Sequence, residues 1–160
     1  MNDDEITRSV DVPVSPPEAW DLFVHRFPDW WPREHCFCGE ADLDTVFINL
    51  DTSTWGEMTR RGACRIWGAV LARQPAQALT LSWQMDATVS PWEPEPDATR
   101  ASLIDIAFVP RPDGTRITLR HHGFSRQGEP HAQAMRAVMV GMDRWREWLD
   151  LFRGFAAPSS

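Results

Sequence analysis

His121 and His122 close a run of alternating apolar and polar residues that begins at Thr115, so one ring points inward and the other outward. If Ile117 and Leu119 face the core, His121 is the inward ring, suited to act as a general base or to hydrogen-bond a ligand. A core histidine with both nitrogens satisfied is the commoner outcome. Glu57 follows Trp55 by two residues, which puts both on one face of a strand. A carboxylate beside an indole in a cavity would bind a polar ligand group or move a proton. The alternative is an exposed strand acid paired with an arginine such as Arg65. His35, Cys36 and Cys38, with His25 upstream and Cys64 beyond, supply metal-ligand atom types. The order His-Cys-x-Cys lacks the usual gap of a zinc knuckle, and residues two apart do not readily converge in a strand. No metal and no cofactor are therefore expected.

Other chemistries have less support. All 16 basic residues are arginines, which removes Schiff-base and lysine-base mechanisms. Ser82, Ser102 and Ser125 lack a Gly-x-Ser-x-Gly setting, and no glycine-rich phosphate loop occurs. The formal charge of −7 opposes binding to nucleic acid. Three cysteines cannot all pair within one chain, and a chain of 160 residues needs no disulfide staple, so a reducing cytoplasm is the expected setting. The acidic first residues do not resemble a secretory signal, and no apolar run is long enough to span a membrane.

The elements that must position these residues follow from periodicity. Ile6, Val10 and Val12 alternate with polar neighbours, predicting a first strand. Ser15 before Pro16, Pro17 and Glu18 predicts a helix start, with the helix running from about Pro16 to His25. Phe27 to Pro32 leaves room for one more helical turn. Period-two runs follow at 43–51, 54–59, 63–73, 79–85, 102–109 and 115–122, giving six further strands. The proline-rich segment 86–100 reads as one exposed loop. From Met135 through Val138, Met139, Met142, Trp145, Leu149 and Phe152 the spacing becomes three and four, predicting one long C-terminal helix over about 130–155. Residues 1–160 thus form a single α+β domain, its core spanning about 6–155: a curved antiparallel sheet of about seven strands around a long C-terminal helix, with two short helices after the first strand.

Nine tryptophans and eight phenylalanines against no tyrosine must fill or line something. Trp20, Trp83 and Trp145 lie on periodic apolar faces and read as core, whereas Trp30, Trp31, Trp55 and Trp67 lie where rings could rim a pocket.

Several segments resemble the activator of heat-shock protein 90 ATPase homologue family, within the START-like helix-grip (SRPBCC) superfamily. They are Val12-Pro-Val-Ser-Pro-Pro-Glu-Ala-Trp20, Phe27-Pro-Asp-Trp-Trp-Pro-Arg-Glu-His35, Trp55 with Glu57, Trp67-Gly-Ala-Val-Leu71, Leu81-Ser-Trp83 and Gly114-Thr-Arg-Ile-Thr-Leu-Arg-His121. Gly123-Phe124 and the helix bearing Trp145, Leu149 and Phe152 complete the match, which covers roughly residues 6 to 155. The resemblance implies a helix-grip fold, hosting ligand carriers and cyclases alike. A chaperone partner is its weakest implication, because the two-domain eukaryotic cochaperone uses a separate N-terminal domain for which this chain has no room.

The leading expectation is a module binding a small apolar or aromatic ligand in a cavity between sheet and C-terminal helix. Trp55, Glu57, Trp67, Trp83, His121, Met139 and Met142 are its expected lining. The rivals are an enzyme of cyclase, dehydratase or hydrolase type using His121 or Glu57, and a protein that docks on a chaperone through an exposed apolar patch. Catalysis is the less favoured reading. Met142 and the stretch 145–155 offer apolar surface to the sheet or to a second copy, so a homodimer stays open.

Overall fold

The computed structural model describes residues 4–89, 93–94 and 97–157. Strand β1 (Glu5–Val12) is followed by helix α1 (Pro16–Trp20), where Ser15 Oγ accepts from the Glu18 N–H and Pro16 and Pro17 start the first turn. The predicted continuation to His25 exists as a widened π turn over Asp21–His25, and the short helix α2 (Phe27–Trp30) comes next. Then come β2 (Leu43–Asn49), β3 (Thr54–Thr59), β4 (Cys64–Gln74) and β5 (Ala78–Trp83). A two-residue pair, β6 (Met85–Asp86) with β7 (Glu93–Pro94), interrupts the segment predicted as loop; Pro91 and Pro96 lie outside the described residues. Strands β8 (Ser102–Arg111) and β9 (Gly114–His122) lead to the helices α3 (His131–Met139) and α4 (Arg144–Ala156).

Seven strands form one antiparallel sheet in the order β1-β9-β8-β5-β4-β3-β2. Alternation sets its inner face. Ser102, Ile104, Ile106 and Phe108 of β8 are buried, as are Thr115, Ile117, Leu119 and His121 of β9. His121 is therefore the inward histidine. Gly68 in β4 sits where an added Cβ would lie 1.8 Å from the Ser82 carbonyl oxygen, so only glycine permits β4 and β5 this close an approach.

The single long C-terminal helix does not form. The Val140 and Met142 N–H groups still donate to the carbonyls of Arg136 and Val138, but the ladder does not continue through Asp143, and the two halves are separate helices. Asp143 adopts left-handed backbone at φ 50°, and its carboxylate accepts from Arg8 Nε of β1 at 2.8 Å and from Arg146 Nε at 2.8 Å. Gly141 leaves no room for a side chain, since a Cβ there would lie 2.5 Å from the Ala137 carbonyl oxygen. The apolar spacing runs through the break without registering it. Among the described residues no helix is long and apolar enough to cross a membrane.

Candidate functional site

Strands β3, β4, β5 and β9 bring Trp55, Glu57, Trp67, Trp83 and His121 into the interior, and α3 adds Met139; each is at most 1% exposed. The rings occupy the space they were expected to line. Trp55 stands 5.3 Å from Trp67 and 5.2 Å from Trp83 between ring centroids, and Trp67 stands 6.1 Å from Trp83, all in tilted or edge-on geometry. Each indole nitrogen of this trio donates: Trp55 to the Ser82 carbonyl at 2.8 Å, Trp67 to Glu57 Oε1 at 2.9 Å, and Trp83 to Met135 Sδ at 3.2 Å. Trp30 and Trp31, also expected at a pocket rim, are buried in the same packed mass. Of the expected lining only Met142 stands apart, 57% exposed in the break between α3 and α4.

His121 is bonded on both sides. The Trp145 indole donates to Nδ1 at 3.0 Å, which leaves the proton on Nε2. That proton is donated to Ser102 Oγ at 2.7 Å, and the hydroxyl in turn faces the Trp83 carbonyl oxygen at 3.5 Å. Burial, with the neighbouring His122 adding to it, lowers the His121 pKa to about 3. A neutral imidazole with no open nitrogen holds helix α4 to the sheet and has nothing left to offer a substrate.

Glu57 is fully buried rather than an exposed strand acid. Oε1 accepts from the Phe37 N–H at 2.8 Å as well as from Trp67, and Oε2 accepts from the Cys38 N–H at 2.8 Å. The carboxylate thus fastens the loop after the short helices to β3. The loop bends so that the Cys36 and Cys38 thiols and a Glu57 oxygen all lie within 4.8 Å of one another. Divergence of side chains two apart holds for a strand, and this segment is not one. Burial raises both thiol pKa values, that of Cys38 to about 12, and the Glu57 carboxylate adds to each rise.

An open site lies where this loop meets the helix break. Glu34, His35, Cys36, Phe37, Val138, Met142, Arg144 and Trp148 line a groove of about 360 Å³. Its volume is at the lower end of small-molecule sites. The Trp148 indole donates to His35 Nδ1 at 2.6 Å, so the His35 proton sits on Nε2, 3.7 Å from Glu147 Oε1. Behind the groove Trp148 packs on Trp31 at 4.5 Å between centroids, joining the floor to the aromatic interior. A larger depression of about 440 Å³ at the β8–β9 turn is lined by Asp11, Arg111, Asp113 and mostly small residues, without a comparable apolar floor. In the sequence His35 was visible only as a metal-type ligand, and Trp148 not at all. The contact between them spans 113 positions, and no local pattern encodes it.

A seven-stranded antiparallel sheet closed by short helices and a C-terminal helix, with an aromatic interior and an apolar groove at its mouth, defines a START-like helix-grip protein. The family model for "Activator of Hsp90 ATPase homolog 1-like protein" matches residues 14–154, and the chain belongs to that family. Among solved structures it is similar to the anthrahydroquino-γ-pyrone synthase Txn09, determined as a complex, at 28% identity over 86% of this chain and 90% of that one, with a TM-score of 0.57. The self-sacrificing resistance protein CalC from Micromonospora echinospora is similar at 23% identity over 97% and 96% of the two chains, with a TM-score of 0.68. An AHSA1-like protein from Aeromonas hydrophila aligns at 14% identity over 94% and 90%, with a TM-score of 0.56. The search of curated proteins returned no match.

Proposed function

We propose that the protein binds a small apolar or aromatic molecule in the groove between the 34–37 loop and the break separating α3 from α4. The observation that carries this reading is the groove's composition. Phe37, Val138, Met142 and Trp148 form an apolar floor left open to solvent, while Glu34, His35 and Arg144 stand around it as polar groups able to orient one end of a ligand. The similarity to a synthase whose name specifies a fused aromatic product supports an aromatic ligand class. Met142 is the one residue of the expected lining that serves directly. Trp55, Trp67, Trp83, His121, Glu57 and Met139 serve as the packed wall behind it. Catalysis through His121 has no support in the geometry, because both ring nitrogens are already bonded.

The test is a titration of naphthol- and anthraquinone-type compounds followed by indole emission, which no tyrosine contaminates. A saturable change is expected with at least one class, weakened about tenfold or more by Val138→Glu and retained by Leu71→Glu, which is exposed outside the groove. Equal affinity in the two variants, or no saturable response in the folded protein, overturns the assignment.

A further inference from the structure

The loop between α2 and β2 carries a donor set that ligand binding in the groove does not require. The thiols of Cys36 and Cys38 and a carboxylate oxygen of Glu57 lie within 4.8 Å of one another. Two sulfurs and one oxygen suit a borderline-soft divalent ion of the zinc type, and do not suit magnesium or calcium, which take oxygen donors throughout. In a tetrahedral site with metal–sulfur bonds of about 2.3 Å and a metal–oxygen bond of about 2.0 Å, two sulfurs stand roughly 3.8 Å apart and a sulfur and an oxygen roughly 3.5 Å, so the set closes with a contraction of about 1.3 Å at most.

The carboxylate is held in advance. Three neutral N–H groups, from Phe37, Cys38 and the Trp67 indole, fix Glu57, which is the kind of outer-shell support that orients a metal ligand. Arg65 stands opposite Glu57 on the neighbouring strand and donates to the Phe37 carbonyl oxygen, while the fully buried carboxylate itself is held by these N–H groups. A depression of about 610 Å³ opens to solvent beside the cluster, lined by Phe37, Cys38 and Asp42 and by three arginines, Arg60, Arg61 and Arg65, so an ion entering this way passes their positive charge. Cys64 is exposed and is not one of the three clustered ligands.

We propose that Cys36, Cys38 and Glu57 bind one divalent cation of the zinc type, with a fourth position open to water or an external ligand. Binding releases the two thiol protons to the buffer and changes no oxidation state. Because the same loop forms one wall of the groove, a bound ion fixes that wall to β3.

Isothermal titration of the reduced full-length protein with Zn²⁺ tests this, together with Co²⁺ absorption as a reporter of thiolate ligation. One ion per chain is expected, with sulfur-to-cobalt charge-transfer bands. Cys36→Ser and Cys38→Ser each weaken binding tenfold or more, while Cys64→Ser binds as the parent does. The serine variants keep the loop's size and leave Glu57 in place, so their folding is checked by circular dichroism without the hazard of altering the buried acid. No binding at micromolar Zn²⁺, a Co²⁺ spectrum without thiolate bands, or unchanged affinity in the folded double serine variant overturns the proposal. None of these readouts uses an organic ligand, so failure here is distinct from failure of the groove.

Discussion

His121 shows what one buried ring does to the whole chain's acid stability. Its pKa is about 3 in the folded protein against 6.5 for an ordinary histidine, so between those values the unfolded chain takes up a proton that the folded one refuses. The stabilisation is complete above pH 6.5 and falls by about 1.4 kcal/mol per pH unit as the pH drops toward 3. Urea midpoints measured from pH 7 to 4 should fall steeply in the parent and more gently in His121→Gln, whose amide keeps an acceptor for Trp145 and a donor for Ser102. Identical slopes would assign the acid sensitivity elsewhere. The lowered carboxyl pKa of Asp4, whose hydrogen bonds from Ser125 and Arg136 outweigh an opposing burial effect, acts with the same sign but below its ordinary 3.8, outside this window. Glu57→Gln places an amide where the loop's N–H groups require an acceptor, and should cost about 2 kcal/mol with faster amide exchange at Phe37 and Cys38. The inward direction of His121 was readable from period two. Its partners, Ser102 and Trp145, lie 19 and 24 positions away, and no sequence pattern links them.

At the scale of elements, legibility followed the physics that each pattern encodes. Strand β3 occupies Thr54–Thr59 as alternation predicts, because period two and the flanking turn residues specify the same boundaries. The C-terminal break was hidden because Met139, Met142 and Trp145 keep a spacing of three across it, so apolar periodicity continues where the hydrogen bonds stop. What stops them is one left-handed residue tied to a distant strand. Asp143→Ala loses the Arg8 and Arg146 contacts and keeps the unfavourable φ, whereas Asp143→Gly loses the contacts and relieves the backbone. Thermal unfolding should therefore rank the glycine variant about 1 kcal/mol above the alanine variant. The reverse order would mean that Asp143 is not held in that conformation. Gly68→Ala is expected to be far worse than either, since the Ser82 backbone cannot move aside without parting β4 from β5.

At the scale of the whole molecule, eight buried tryptophans among the described residues serve as filler. Removing one from the centre should be costly: Trp83→Ala is expected to lower stability by about 3–5 kcal/mol, against a change within about 0.5 kcal/mol for the exposed Leu71→Ala, both read from urea unfolding. An abundance of indoles in a sequence signals either a filled interior or a lined cavity, and only the distances between rings decide which. The interruption at Val140–Asp143 also bears on the order in which the molecule opens. Helix α3 has nine residues, too few to persist alone, and no shared ladder obliges α4 to unwind with it. Native-state hydrogen exchange should therefore resolve two tiers, with α3 amides exchanging through a low-energy opening and β8, β9 and α4 through global unfolding. Val138, on the groove floor, belongs to the faster tier. A seam in the backbone thus becomes a clock, and the lifting of one short helix sets the pace at which the groove's own floor comes and goes.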